Sequence, residues 1–361
     1  MASDTTPEPA MSSRAALVDF FSRSLTAFQS SKDVFRVVCT LSRRRGHDDT
    51  AAAATTPVPR PPREERPPRR VRSLVVLDSS FNPPTLAHLR MAVSAVRDLR
   101  RSGGGGGGSD GSDAGSREEV SAVRLLLLLA VNNADKKPQP AAFPVRLGMM
   151  HAFAQDLLDE LRAAASSMAK GGGEPQDGEE DDEVEVDVGL TTMPYFHDKS
   201  QAISDAGFYA VDGQGPEQVY LAGYDTLVRI FNPKYYNASA GAPPPSSGSG
   251  DVDGGVAPIR RALDPFLERS RLRITTRADD EWGSEADQVA HLERLRNGGL
   301  EEVGGRAAWA ERVETDRGLG EVVSSTRVRR AAKERDEKAL GRLVGARVKE
   351  WVLGEGLYHE E

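Results

Sequence analysis

The sequence predicts an α/β fold built on a doubly wound parallel sheet. Short runs of leucine and β-branched residues recur along the chain, and segments of helical periodicity separate them. This alternation is typical of parallel strand–helix–strand units. Two of the runs lead directly into a turn and then a helix, at residues 78–84 and at Gly223. Ligands of such sheets bind beyond the carboxyl ends of the strands, so a site is expected at these turns.

Composition shows that only part of the chain builds this fold. The 361 residues include 35 Gly and 22 Pro, and 38% are hydrophobic, below the roughly 45–50% of ordinary globular domains. Five stretches are too polar, glycine-rich or proline-rich to pack: 1–11, 46–70, 102–118, 165–183 and 237–256. The remainder suffices for one large domain with a sizeable core, which excludes a wholly disordered, collagen-like or coiled-coil protein.

The net charge of −8 is concentrated in one stretch, because residues 165–183 contain seven acids against Lys170 alone. The rest is nearly neutral and predicts no nucleic-acid surface. Cys39 is the sole cysteine, so no intrachain disulfide can form and a reducing compartment is expected. No apolar run approaches the roughly 20 residues of a membrane helix, and the acidic N-terminus fits neither a signal nor a transit peptide. We expect a soluble protein of the cytoplasm, the nucleus or both, without a membrane partner.

The N-terminal region, residues 1–70, is predicted to contain one helix and a linker. Within 12–45, two serines are candidate N-caps and apolar residues follow at helical spacing. They are Leu17, Phe21, Leu25 and Phe28. We expect this helix to dock on the main domain. Prolines interleaved with arginines make 46–70 an extended, solvated linker.

The main domain, residues 71–358, contains the predicted sheet. Its strands are expected at 73–77, 123–131, 184–190, 219–222, 272–276 and near 309–313. Helices are expected around 89–101, over 144–165, from 223 to Pro233, over 284–296, from about 325, and over 344–353. The low-complexity stretches fall between these elements and are predicted to be disordered insertions in surface loops, which cost little loop-closure entropy.

The first motif is the turn after the first of these strands, Ser-Ser-Phe-Asn-Pro-Pro-Thr-Leu-Ala-His at residues 79–88. Unpaired backbone N–H groups and the helix dipole make such a helix start an anion site. Thr85 and His88 lie three residues apart, on one face of the first turn. The pattern therefore predicts that His88 faces a phosphate group.

The second motif is Val-Ser-Ser-Thr-Arg-Val-Arg at residues 323–329. Ser324, Ser325 and Thr326 offer hydroxyl and N–H donors at a helix start. Arg329, three residues after Thr326, points to the same face. Together they predict a second phosphate clamp. A solvated basic face that includes Arg327 and Arg330 is the competing interpretation.

Together the two motifs resemble those of the nucleotidyltransferase superfamily: Gly-x-Phe-Asn/Asp-Pro-x-Thr/His-x-x-His and Ile-Ser-Ser-Thr-x-x-Arg. Over roughly residues 71–358 the chain is most similar to the nicotinamide-mononucleotide adenylyltransferases, in particular to a divergent fungal branch with an extra N-terminal helix. The resemblance implies a Rossmann-like nucleotidyltransferase fold. It also implies transfer of the adenylyl group of ATP to nicotinamide mononucleotide, giving NAD and pyrophosphate. Mg²⁺ would be carried mainly by ATP, and the oligomeric state stays open, a homo-oligomer included.

The resemblance also implies roles for matching residues. His88, which steadies the α-phosphate, and Arg329 are the expected catalytic residues. ATP and its phosphates are expected at Ser80, Phe81, Thr85, Gly223, Asp225, Ser324, Ser325 and Thr326. The mononucleotide is expected at Lys136, Lys137, Tyr235 or its neighbour Tyr236, and Arg277. Asp225 would meet ribose hydroxyls, and a helix cap is its competing interpretation. No protein metal ligand is expected.

Three departures from the family pattern keep alternatives open. Ser79 and Ala87 replace motif glycines, and both are small. No Trp-Glu pair follows the third strand of the main domain, where residues 191–196 read Thr-Thr-Met-Pro-Tyr-Phe. Another phosphate-bearing acceptor, ATP hydrolysis, or a non-catalytic regulatory role therefore remain alternatives. A nucleotide-binding oxidoreductase is disfavoured, because the first turn lacks Gly-x-Gly-x-x-Gly.

Overall fold

The computed structural model describes residues 13–42, 70–103, 122–131, 141–169, 184–236, 257–276, 282–316 and 323–359. The strands are β1 (Phe35–Leu41), β2 (Val71–Asp78), β3 (Ala122–Ala130), β4 (Glu185–Thr191), β5 (Glu217–Gly223), β6 (Ser270–Thr275) and β7 (Val313–Asp316). The helices are α1 (Ser13–Gln29), α2 (Leu86–Gly103), α3 (Phe143–Ala169), α4 (Phe196–Asp205), α5 (Tyr224–Ile230), α6 (Pro258–Arg269), α7 (Glu285–Arg294), α8 (Leu300–Glu302), α9 (Ser325–Lys333), α10 (Glu337–Leu343) and α11 (Ala346–Gly354).

The seven strands form one sheet in the order β1-β4-β3-β2-β5-β6-β7. Every neighbouring pair is parallel except β1 with β4. From β2 the chain extends the sheet first through β3 and β4, then returns to the other side of β2 and adds β5, β6 and β7. This reversal defines a doubly wound, Rossmann-like sheet and places the topological switch point between β2 and β5. The predicted fold class is confirmed.

Helices cover both faces of the sheet, which explains why its strands are nearly continuous apolar runs. Val75 and Leu77 of β2 face a core shared with α1, α2, α3, α9, α10 and α11. Leu74 and Val76 face the opposite core, shared with α4, α5, α6 and α7. Side chains of β2 therefore alternate between two buried layers, as the pleat of a strand requires.

The N-terminal region contains the predicted helix and one strand that was not predicted. The four apolar residues of α1 identified from the sequence are all buried. Residues 35–41, which were expected to be part of the helical region, instead form edge strand β1, antiparallel to β4 from Phe35 opposite Thr191 to Leu41 opposite Val186. The sheet of the main domain therefore includes a strand from before residue 70.

Three further expectations need correction. Trp309 does not begin a strand; it lies in a 3₁₀ helix (Ala307–Arg312), and its buried ring stacks on Phe231 with centroids 6.2 Å apart. The strand near it starts only at Val313. The acidic stretch 165–183 is helical up to Ala169, where α3 ends. Helices α4, α6, α8 and α10 were missed.

The predicted insertions fall almost entirely outside the described residues. Residues 237–256 lie outside them, and so does the linker apart from residue 70. The glycine-rich insertion is described only at residues 102–103, which belong to α2. Within the described residues, no helix is long and apolar enough to span a bilayer.

Candidate active site

A cleft of about 820 Å³ opens at the carboxyl ends of β2, β5, β6 and β7. Asp78, Gly223 and Thr275, each the last residue of its strand, contribute to its wall, together with Asp316 at the end of β7. The cleft thus lies beside the switch point between β2 and β5, the position at which doubly wound sheets bind ligands.

Two helices begin at this cleft. Thr85 immediately precedes α2, and Ser324 is the N-cap of α9, its Oγ accepting the backbone N–H of Arg327 at 3.3 Å. Thr85, Ser324 and Ser325 all line the cleft. The first turns of both helices carry backbone N–H groups without intrahelical partners and the positive ends of the helix dipoles. The two predicted motifs therefore meet at one cleft, and the starts of their helices present N–H groups that favour an anion.

His88 is half-buried in the cleft wall, and its hydrogen bonds determine its tautomer. The backbone N–H of Thr85 donates to Nδ1 at 3.0 Å, so Nδ1 is unprotonated and the proton of the neutral ring lies on Nε2. The hydroxyl of Thr85 is 2.9 Å from the same Nδ1. Burial lowers the pKa of His88 to about 4. At neutral pH this histidine is an uncharged donor through Nε2.

Ser79 has a role that the sequence did not reveal. It was interpreted only as a small replacement for a motif glycine. In the structure its Oγ lies 3.1 Å from Nε2 of His88, on the side of the ring that carries the proton. Ser79 also lines the cleft. The Ser79 hydroxyl therefore orients Nε2–H of His88, the group that would donate a hydrogen bond to a bound phosphate oxygen.

The second motif binds the first directly. Ser325 Oγ donates to the carbonyl oxygen of Pro83 at 2.8 Å, and Arg329 Nη1 donates to the carbonyl oxygen of Asn82 at 3.0 Å. Arg329 Nη2 also donates to Oγ1 of Thr326, an exposed residue, at 3.3 Å. These bonds fix the start of α9 against the turn that precedes α2.

Some predicted residues occupy positions other than the cleft surface. Phe81 has a positive φ of 45° and a fully buried side chain. Its ring packs against His88 and Phe153, with centroids 5.6 and 6.4 Å away, so only its backbone can approach a ligand. Ser80, Thr326 and Arg329, all within the described ranges, lie off the cleft wall, whereas Gly223 lines it.

Three aspartates line the cleft, and each has a cationic partner. Asp78 Oδ2 is 2.5 Å from Nζ of Lys199, Asp225 is 3.6 Å from Arg229, and Asp316 is 3.1 Å from Arg273. Asp78, Lys199 and Asp316 were not predicted. The signal for Asp78 was present, because an acid ends an otherwise apolar strand at the sheet edge that binds ligands. Among the described residues no three of His, Cys, Asp or Glu form a group able to hold a metal ion.

An aromatic group lies at the start of α4, next in sequence to Phe196 of the cleft wall. Tyr195, which is 37% exposed, stacks on His197 at an interplanar angle of 7°. His197 in turn contacts Tyr236, with centroids 5.6 Å apart, and Tyr236 donates its hydroxyl proton to the carbonyl oxygen of Ile230. Tyr236 rather than Tyr235 therefore joins this group.

The remaining expected mononucleotide residues are located as follows. Tyr235 lies off the cleft wall in a 3₁₀ helix (Pro233–Tyr235), with the ammonium of Lys234 4.9 Å from its ring. Lys136, Lys137 and Arg277 lie outside the described residues.

Comparison with known proteins finds a similar sequence and similar folds. No family model matches the sequence. The chain is 29% identical over 277 residues, 76% of its length and 81% of the relative's, to the Schizosaccharomyces pombe protein named "Putative nicotinamide mononucleotide adenylyltransferase". A solved structure of Plasmodium falciparum nicotinic acid mononucleotide adenylyltransferase, complexed with NaAD, covers 80% of this chain and 97% of its own at 11% identity and a TM-score of 0.37. The doubly wound fold is established by the order and direction of this chain's own strands. In both motifs, in their order along a doubly wound sheet, and in its likeness to the Schizosaccharomyces pombe relative, the chain is similar to the nucleotidyltransferases.

Proposed function

We propose that this protein transfers the adenylyl group of ATP to nicotinamide mononucleotide, giving NAD and pyrophosphate. One observation carries the proposal: residues of both motifs, His88 and Ser325, line the same cleft although 237 positions separate them in the sequence. The name of the Schizosaccharomyces pombe relative supports this choice of reaction.

The reaction needs positioning and charge stabilisation rather than a covalent intermediate on the protein. A phosphate oxygen of the mononucleotide attacks the α-phosphorus of ATP, and the bond to the bridging oxygen of pyrophosphate breaks. The starts of α2 and α9 supply fixed N–H donors for the oxygens on which charge develops. Since these donors are held by the backbone, little reorganisation is needed when the transition state forms.

In this proposal His88 binds the transferring α-phosphate through Nε2–H. Its Nδ1 is occupied by Thr85, so the proton is fixed on the nitrogen that also faces Ser79. An anion next to the ring favours the imidazolium form, so ligand binding raises the pKa from its low value. Nε2–H remains the hydrogen-bond donor to the phosphate, because a ring whose pKa starts near 4 stays mostly neutral at pH 7 after a rise of about one unit.

Magnesium would enter the site on the phosphate oxygens of ATP. Mg²⁺ retains several waters and is commonly held by substrate phosphates with one or two carboxylates. The described residues fit this mode, because the three cleft aspartates are dispersed and each faces a cation. Asp225, half-buried at the start of α5, is the carboxylate that we assign to ribose hydroxyls.

Acceptor specificity is the least constrained part of the proposal. The start of α4, where the family's Trp-Glu pair is missing, offers an aromatic group of Tyr195, His197 and Tyr236. An aromatic surface with one imidazole suits a flat heterocyclic base. Nicotinate mononucleotide is therefore the second acceptor to test, since a histidine can donate to either an amide oxygen or a carboxylate.

The experiment is an assay of NAD formation from ATP, Mg²⁺ and nicotinamide mononucleotide, coupled to a dehydrogenase. We expect wild-type activity and its loss in His88→Ala. His151→Asn is the matched control, because His151 is also buried but lies on α3, off the cleft wall.

Three outcomes would overturn parts of the proposal. Product formed only with nicotinate mononucleotide would change the acceptor. Release of phosphate from ATP without any adenylylated product would replace transfer by hydrolysis. Binding of ATP without turnover of either acceptor would indicate a regulatory protein.

A further inference from the structure

A buried ion pair lies at the floor of the cleft. Lys199 Nζ is 2.5 Å from Asp78 Oδ2, and the two side chains are 5% and 9% exposed. Asp78 is the last residue of β2 and lines the cleft. Burying two charges is expensive, and removing one partner leaves the other uncompensated. This pair nevertheless lies at the carboxyl end of β2, where ligands bind in this fold class, which suggests a role beyond stability.

The pleat of β2 and the position of α4 bring the two residues together. Asp78 has the same parity as Leu74 and Val76, so its side chain points to the face that α4 covers. Lys199 lies in the first turn of α4, and its ammonium is 5.5 Å from the ring of Phe196, which lines the cleft. The pair thus connects the end of the central strand with the helix that follows β4.

Asp78 lines the same cleft as Ser79, His88 and Ser325. It directly precedes Ser79, whose hydroxyl contacts His88. An uncompensated negative charge there would repel phosphate oxygens, and solvent screens such repulsion weakly at a buried site. Lys199 supplies the compensating positive charge from below the cleft floor.

We propose that Lys199 neutralises Asp78 so that the cleft floor accepts the phosphates of a magnesium nucleotide, which makes Lys199 a positioning residue for the reaction. This inference rests on the proposed function. It assigns to Lys199 an effect on ligand charge in addition to its contribution to the fold.

The two effects have different signatures in single variants. Lys199→Met leaves a carboxylate without its cation, whereas Asp78→Asn leaves an ammonium without its anion. Either change destabilises a buried pair. Only the first places excess negative charge beside the phosphates, and the second places excess positive charge there. Nucleotide affinity should therefore fall in Lys199→Met only, while stability falls in both variants.

The experiment measures the Kd of MgATP by calorimetry and the melting temperature, using the full chain. We expect Lys199→Met to weaken binding by about tenfold or more, the scale of one nearby unpaired charge. Asp78→Asn should bind as tightly as wild type or more tightly. The double variant Asp78→Asn with Lys199→Met should return to within about threefold of wild type, because the charge is again balanced.

The matched control is the buried pair of Arg124 and Asp187, at the opposite end of the sheet. Arg124→Met should lower the melting temperature without changing the Kd of the folded protein. If Lys199→Met does not fold, Lys199→Gln carries the same expectation.

Three results would overturn the inference. Lys199→Met could bind MgATP as tightly as wild type, or Asp78→Asn could weaken binding as much as Lys199→Met does; either result would leave the proposed function intact. Failure of the wild-type protein to bind MgATP would overturn the proposed function and this inference with it.

Discussion

Arg329 donates a hydrogen bond from Nη1 to the backbone oxygen of Asn82 at 3.0 Å, across 247 positions of sequence. A second bond, from Ser325 to the oxygen of Pro83, lies beside it. Two motifs that the sequence shows as separate phosphate sites are thus one structural unit. The start of α9 is oriented by the turn that precedes α2, so residues of each motif hold the other as well as facing the cleft.

Arg329→Met should therefore loosen the contact between α9 and the turn that precedes α2. Loss of this bond to a half-buried carbonyl should lower the unfolding free energy by about 1–2 kcal/mol. Misplacement of the donors at the start of α9 should weaken MgATP binding by about tenfold, the scale of one charge-assisted contact. Urea unfolding and calorimetry measure the two effects. Ser325→Ala, which removes the neighbouring bond, should show a smaller loss of stability, and unchanged MgATP affinity in Arg329→Met would contradict the coupling.

The sequence predicted the central strands because each is a short apolar run buried on both faces. Strand β1 escaped prediction because its partner β4 is about 150 residues away and antiparallel, which local periodicity cannot show. Helix α6 carries Pro265 inside it and α10 has only 7 residues. Helices of this kind are stabilised mainly by tertiary packing, so propensity alone gives them a weak signal.

The parts of the candidate site that lie in local sequence motifs were predictable. Those formed by contacts between residues distant in the sequence were not. His88 and Ser325 were found because each lies at a helix start in a recognisable motif. The pairing of Asp78 with Lys199 was missed, because it requires both the parity of β2 and the position of α4. Tyr235 and Tyr236 could not be distinguished, because sequence alone does not show which of two adjacent residues in a short turn faces a neighbouring ring.

Ligand binding should shift the titration of His88. Its pKa is about 4 because the neutral form is favoured by burial. A bound polyphosphate favours the charged form, so MgATP should raise this pKa by at least about one unit. NMR titration of the imidazole carbons measures the shift. His151, whose pKa is also lowered to about 4 by burial, is the internal control and should not respond. Equal shifts at both histidines would point to a global change instead.

The free energy of unfolding should fall in mild acid, because His151 takes up a proton more readily in the unfolded chain than in the folded protein. Its pKa is about 4 in the folded protein and about 6.5 in an unfolded chain. The unfolded state therefore binds more protons between these values, and the unfolding free energy decreases as pH falls from 6.5 to 4. His151→Leu should reduce this loss by up to about 3 kcal/mol. Urea unfolding at pH 7 and pH 4.5 measures it, and parallel profiles for variant and wild type would contradict the assignment.

Tyr358 near the chain's end supports the first motif from behind. Its hydroxyl donates to Oδ1 of the buried Asn82 at 2.8 Å, and the backbone N–H of Ala141 donates to the same oxygen at 2.9 Å. Tyr358→Phe should cost about 1 kcal/mol, since Asn82 keeps one donor. Turnover should fall about threefold through loosened positioning of the turn. Asn82→Ala removes the oxygen that accepts both bonds, so it should lower stability and turnover more than Tyr358→Phe does. An unchanged rate in Tyr358→Phe would show that the contact is only structural.

The charged cluster at the opposite end of the sheet should affect stability alone. Asp187, fully buried on β4, accepts two bonds from Arg124, at 2.6 and 2.9 Å, and one from Tyr209 at 2.9 Å. Thr40 of β1 donates to it as well, at 2.5 Å, so the cluster anchors the antiparallel edge strand. Asp187→Asn keeps the shape but leaves the buried guanidinium without this anion.

We expect Asp187→Asn to lower the unfolding free energy by about 3–5 kcal/mol, the usual penalty for breaking a buried pair. The Kd of MgATP for the folded fraction should stay unchanged, because the cleft opens at the carboxyl ends of the strands whereas Arg124 and Asp187 lie nearer their amino ends. Urea unfolding and calorimetry on the same preparation separate the two quantities. A weakened Kd with little loss of stability would mean that the edge strand communicates with the cleft, in which case β1 belongs to the functional unit and not only to the scaffold.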